Sequence, residues 1–131
     1  GKTYISIKCR AGGWANPDLT VKREQVQIYK EMESLKVAKM IEDEEKFTKY
    51  KAESDREIGK KLFDALYDTC VVSWETNIQN DGGKMKCDKE HFLLLADTGI
   101  NELSQFFMDW AKYVDDLGNF RNEIDEETVK N

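Results

Sequence analysis

The residues of this 131-residue chain best suited to chemistry are Cys70, Cys87 and His91. Cys87 and His91 stand four apart, the spacing that puts two side chains on one helical face. A thiolate beside an imidazole is either part of a zinc site, with Cys70 as third ligand, or a nucleophile with its base. The pattern falls short of both. Zinc sites show paired, closely spaced ligands, and here there is one pair whose first member falls at a turn. A thiol nucleophile needs an orienting third group and a surrounding signature, and neither is visible. The reading is an ordinary thiol beside an ordinary histidine, with no metal, cofactor or catalysis expected.

Two other stretches invite the same question. Glu42, Asp43, Glu44 and Glu45 offer carboxylates, but a calcium loop needs alternating oxygen ligands and a sharp glycine turn, whereas a helical run points these four in different directions. They read as a solvated face. Asn80, Asp81, Gly82 and Gly83 are too few for a phosphate loop and lack the lysine and hydroxyl that follow one, so they read as a turn.

Composition narrows the function classes further. A net charge of -6, with the basic residues interleaved among acids, argues against nucleic acid as a partner and favours protein partners. No apolar stretch is long enough to span a bilayer and no secretory leader is visible, which places the chain in the cytoplasm by expectation. Three scattered cysteines fit reduced thiols better than a disulfide framework. One domain is expected at this length. With 35% of residues charged, extended helices with a narrow buried stripe suit the chain better than a sheet protein.

The elements that position these residues are organised around residues 70–83. Val71, Val72 and Trp74 favour a half-buried extended segment, and the Asn-Asp-Gly-Gly turn ends it. Ahead of it, Ile5, Ile7 and Cys9 alternate with Tyr4, Ser6 and Lys8 in the period of a strand, which must pair with another segment or with a second copy. Residues 10–20 read as a loop on Gly12, Gly13, Asn16 and Pro17. A first helix is expected over residues 21–50 with Thr20 as its cap, on the stripe Ile28, Met32, Leu35, Ala38 and Ile41, widened by Val37 and Met40. Residues 42–57 form a charged connection or helix extension, and Ser54 or Asp55 restarts a helix at Arg56. That second helix buries Ile58, Leu62, Phe63, Ala65, Leu66 and Cys70.

After the turn, Asp88 caps a helix whose consecutive Phe92, Leu93, Leu94 and Leu95 suggest one nearly surrounded by protein. The aromatic helix over residues 101–116 buries Leu103, Phe106, Phe107, Trp110, Tyr113 and Val114. The fold class is therefore mainly α: a small helical domain with a long charged first helix, a short N-terminal strand and an extended segment plus turn near 71–83. Its sections are a strand and loop arm (1–20), a charged helical half (21–70), an extended segment and turn (71–87), an aromatic helical half (88–120) and an acidic tail (121–131) with Ile124. Three tryptophans and six phenylalanines in so charged a background, with a first-helix stripe that one short chain does not fully cover, imply apolar surface awaiting a partner.

Residues 71–120 resemble the tail assembly chaperones of long-tailed bacteriophages and prophages. The likeness runs through Val72-Ser73-Trp74-Glu75, the turn at Asn80-Asp81-Gly82-Gly83, the helix entered by Cys87-Asp88-Lys89-Glu90-His91-Phe92-Leu93-Leu94-Leu95, then Ile100, Leu103, Phe106, Phe107 and Phe120. Met85 and Lys86 stand where a proline often follows, and the glycine is doubled. The resemblance implies a non-enzymatic protein of the host bacterial cytoplasm that binds the tape measure protein, or another tail component, while the tail tube polymerises. It also implies self-association, and in some members a longer frameshifted form. Met32, Leu35, Met40 and Ile41 of the first helix, Trp74, and Phe107 and Trp110 of the last are expected to meet the client or a second copy. The alternative from another class is a structural or regulatory interaction module, such as a head-tail connector or an adaptor pairing only with itself.

Overall fold

The computed structural model describes residues 2–80 and 82–120. Strand β1 (Ile5–Cys9) turns Ile5, Ile7 and Cys9 inward and Ser6 and Lys8 outward, as the alternation predicts. Its partner is β2 (Val71–Thr76), antiparallel, with Ile5 opposite Thr76, Ile7 opposite Trp74, and an irregularity between Lys8 and Cys9. A strand that cannot stand alone is thus held by the extended segment that follows the helical hairpin. The Thr76 hydroxyl donates to the Tyr4 carbonyl at 2.7 Å and extends this tie beyond the ladder.

Helix α1 (Pro17–Ala38) starts before the position the periodicity suggests. Its cap is Asn16, not Thr20: Asn16 Oδ1 accepts the Leu19 N–H at 3.2 Å, and Pro17 fills the first helical position, where a missing N–H costs nothing. The same side chain donates from Nδ2 to the carbonyls of Ala11 at 2.8 Å and Thr69 at 3.0 Å. One buried amide therefore joins the incoming loop, the start of α1 and the end of α2 (Glu44–Cys70).

The helix expected over residues 21–50 is two helices. A turn after Ala38 separates them, and Asp43 caps α2 by accepting the Lys46 N–H at 3.2 Å. The apolar period runs on through Met40 and Ile41 without glycine or proline, so nothing in it marks the reversal. Nor does a helix restart at Arg56. Helix α2 is continuous, and Ser54, expected as a cap, is buried with its hydroxyl on the Glu33 carboxylate at 3.3 Å.

Two short strands, β3 (Gln79–Asn80) and β4 (Gly83–Lys84), pair antiparallel across the turn, and Gly83 takes the left-handed φ of +108° that its side-chain-free backbone permits. Helix α3 (Lys89–Ala96) begins on Asp88 as expected, with Oδ1 accepting the His91 N–H at 2.9 Å. Helix α4 (Asn101–Asp115) and a 3-10 turn (Leu117–Phe120) complete the described chain. Asp81 and the expected acidic tail, with Ile124, lie outside the described residues.

The core gathers around Phe92. Its ring meets Tyr67, Trp74, Phe107 and Trp110 edge to face, with centroids 5.0, 5.6, 5.1 and 5.5 Å away. These rings come from α2, β2, α3 and α4, so one cluster locks four elements. The loop before α1 closes one side of the same core. A Cβ on Gly12 would lie 3.2 Å from both Leu19 and Val114, and the Gly12 N–H donates to the Val114 carbonyl at 2.7 Å. Helix α3 is less enclosed than its sequence suggests: Phe92 and Leu95 are buried, Leu93 is half-buried and Leu94 is exposed. On α4, Phe107, Trp110 and Val114 are buried, whereas Tyr113, expected inside, is exposed.

Candidate interaction surface

Helix α1 carries apolar residues on two opposite faces. Leu19, Val26 and Glu33 recur every seven residues on the side toward α2, with Val37 in line, and are buried or half-buried. Val21, Ile28 and Leu35 recur every seven residues too. They are displaced by two positions, about 200° around the helix, so they lie on the far side of α1 from Leu19, Val26 and Glu33. Val21 is 60%, Ile28 51%, Met32 56% and Leu35 69% exposed, and Ile41 in the following turn is 68% exposed. Single exposed apolar residues need no explanation; a ridge along one helix does.

The seven side chains expected at a partner surface divide between two places. Met32, Leu35 and Ile41 are exposed and Met40 is half-buried, all at or near this ridge. Trp74, Phe107 and Trp110 are buried in the Phe92 cluster, out of reach of any partner while the fold is closed. The correction has a simple cause: a wide aromatic stripe looks the same in sequence whether it covers a core or a groove. Val21 and Ile28 belong with the ridge. Their sevenfold spacing with Leu35 is the signal that would have placed them there.

The inner face has its own polar centre. Glu33 is buried between α1 and α2, where its carboxylate accepts from the Tyr50 hydroxyl at 2.7 Å, Lys36 Nζ at 3.3 Å and the Ser54 hydroxyl at 3.3 Å. The Tyr50 hydrogen bond is the strongest of the influences holding this carboxyl below the usual glutamate range. Tyr50 is raised in turn, chiefly by the same bond. A buried carboxylate is tolerable only when so satisfied, and here it fixes the register of the α1–α2 hairpin.

The chemistry-bearing residues do not assemble a site. Burial pushes the Cys70 thiol up, away from a reactive thiolate. Cys87 Sγ is 3.8 Å from the Met85 carbonyl oxygen, and His91 Nδ1 is 2.6 Å from Asp88 Oδ1. Asp88 is held below the usual aspartate range first by the His91 backbone N–H and then by its ring, the environment of a helix cap. Among the described residues no group of three or more His, Cys, Asp and Glu side chains is placed to hold a metal ion. Glu44 and Glu45 lie in the first turn of α2 behind the Asp43 cap, where their charge suits the helix dipole.

A hollow of about 450 Å³ between α2 and α3 is lined by Lys60, Asp64, His91 and Leu94, among others. Of its charges, Lys60 pairs with Glu57 and Asp97 within the lining, and Asp64 pairs with Lys89 beside it. They do not converge on a common point. Among the described residues no helix is long and apolar enough to cross a membrane. The chain matches no protein-family model, no curated protein and no solved structure.

Proposed function

We propose that this chain is a non-enzymatic protein-binding module that receives a helix of another polypeptide along the outer face of α1, and that it serves as a tail assembly chaperone holding the tape measure protein of a long-tailed phage or prophage in the bacterial cytoplasm. The observation that carries the binding role is the exposed ridge of Val21, Ile28, Met32 and Leu35 on a helix whose opposite side is already packed. A preformed helix with a linear apolar ridge suits an amphipathic helix as partner, because the two can pack side by side without refolding. Met32 and Met40 adapt to varied client surfaces, and the net charge of -6 keeps the complex soluble.

The phage assignment rests on the resemblance over residues 71–120. Trp74, Phe92, Leu95, Phe107 and Phe120, which carry much of it, are buried. What they would share with a family is a packing arrangement in the second half, while the proposed binding ridge lies in the first.

Fluorescence anisotropy of a labelled amphipathic peptide taken from a tape measure protein tests the reading. The expected result is saturable binding that Leu35→Asp and Ile28→Asp each weaken at least tenfold while circular dichroism stays unchanged. Binding that survives both substitutions would remove the outer face of α1 from the mechanism.

A further inference from the structure

We propose that the outer edge of β1 takes an extended acidic segment of another polypeptide as an added strand. The site is built on a different element from the α1 ridge and does not depend on it. Tyr4 turns both backbone groups toward β2: its N–H donates to Asn77 Oδ1 at 2.9 Å, and its carbonyl accepts the Thr76 hydroxyl at 2.7 Å. The Lys2 carbonyl, which accepts from Asn77 Nδ2 at 2.6 Å, and the Arg10 N–H, which donates to the Cys70 carbonyl at 2.7 Å, point the same way. Backbone direction alternates along an antiparallel strand, so Ser6 and Lys8 bond β2, while the N–H and C=O of Ile5 and Ile7 face the opposite side. Among the described residues the sheet has no third strand to meet them. Ile5 and Ile7 are correspondingly only half-buried, although their side chains pack against the core.

Charge selects the occupant. Lys2, Lys8 and Arg10 are exposed, none of them is in an ion pair among the described residues, and the first acid of the chain is Asp18. A chain of net charge -6 thus carries an uncompensated basic strand. Lysine on an edge deters pairing, but only by strands of like charge. A second copy is such a strand: antiparallel pairing of two β1 edges sets Lys2 opposite Arg10 when centred on Ser6, and opposite Lys8 when centred on Ile5.

An acidic strand meets the reverse situation. With carboxylates at alternate positions on the solvent side it reaches Lys2 and Lys8, and the residues between them lie beside Ile5 and Ile7. Main-chain bonds to Ile5 and Ile7 then supply affinity, and the carboxylates supply the choice of partner. From Lys2 to Lys8 the edge runs about 20 Å, room for about six residues of the added strand.

Fluorescence anisotropy on the full chain, with an end-capped peptide that alternates Glu and Val over about seven residues, gives the test. Saturable binding is expected, weakened about tenfold by Lys8→Glu with circular dichroism unchanged, and indifferent to Leu35→Asp. Methylating alternate peptide nitrogens is expected to abolish binding in one of the two phases, because only one phase faces β1 and every charge stays in place. Binding that survives methylation in both phases would be charge attraction without strand pairing and would overturn the proposal. Absence of binding, equal binding of the peptide with Lys in place of Glu, or loss of binding in Leu35→Asp overturns it too. Displacement of the peptide by an equally tight oligothymidylate would make the strand a phosphate site, and a dimer that Lys8→Glu tightens would put a second copy on the edge. Either result also overturns the proposal.

Discussion

Replacing Phe92 by alanine tests the packing on which the second half of the molecule depends. The ring is fully buried and meets four aromatic rings from three other elements. Truncating a core phenylalanine costs about 3–5 kcal/mol. The edge-to-face geometry, worth about 0.5–1.5 kcal/mol per pair beyond area, puts the expectation in the upper part of that range, about 4–5 kcal/mol. Against a total stability of about 5–15 kcal/mol, that leaves a marginal domain. With a urea slope near 2 kcal/mol/M, the unfolding midpoint falls by about 2 M. Tryptophan fluorescence is a suitable readout, because Trp74 and Trp110 flank the ring and exposed Trp14 supplies only a constant background. Leu94→Ala is the control. It lies two residues away in the same apolar run but is exposed, so its effect should stay within about 0.5 kcal/mol. If Phe92→Ala fails to fold, Phe92→Leu reports the same position at smaller cost. Equal effects at positions 92 and 94, or a loss below about 1.5 kcal/mol for Phe92→Ala at unchanged slope, would refute the convergence of four elements on this ring.

Asn16→Asp retains a good capping oxygen but loses the amide protons given to the Ala11 and Thr69 carbonyls, so it is expected to destabilise by about 2–4 kcal/mol in chemical denaturation. A purely capping role predicts near-neutrality instead. Tyr50→Phe removes the main hydrogen bond that lowers the Glu33 carboxyl, so its pKa, followed by NMR, should move up toward the ordinary glutamate value; no movement would show that the hydroxyl does not reach the carboxylate. Asp97 is held below its ordinary value chiefly by the two hydrogen bonds from Arg56, at 2.8 and 3.1 Å. A carboxyl depressed on folding stabilises the protein fully above about pH 4 and loses that contribution as pH falls through its folded value. Asp97→Asn should therefore flatten part of the acid limb of the stability profile, by no more than about 1 kcal/mol for so exposed a pair, and an unchanged limb would dismiss this contribution.

Local pattern was enough for the strand, the Asp88 cap, the aromatic helix and the mainly helical class, because each depends on residues close together in the chain. Ile5, Ile7 and Cys9 alternate whatever they pair with, and Asp88 caps by reaching only three residues ahead. The start of α1 was also written locally, in Asn16-Pro17, but that pair serves a loop and a helix start equally well. It is Leu19 packed under Gly12 and the bonds to Ala11 and Thr69 that decide between them.

The break near residue 40 and the division of apolar residues between core and surface were decided by tertiary structure alone. Periodicity reports that Val21, Ile28 and Leu35 share a face; it cannot report that Leu19, Val26 and Val37 hold the opposite face against α2, since that depends on where the chain reverses. Likewise Trp74, Phe107 and Trp110 are apolar in any context, and only the arrival of Phe92 among them makes them interior. Burial is a relation between distant segments, and sequence order carries it only where the partner lies within a few residues.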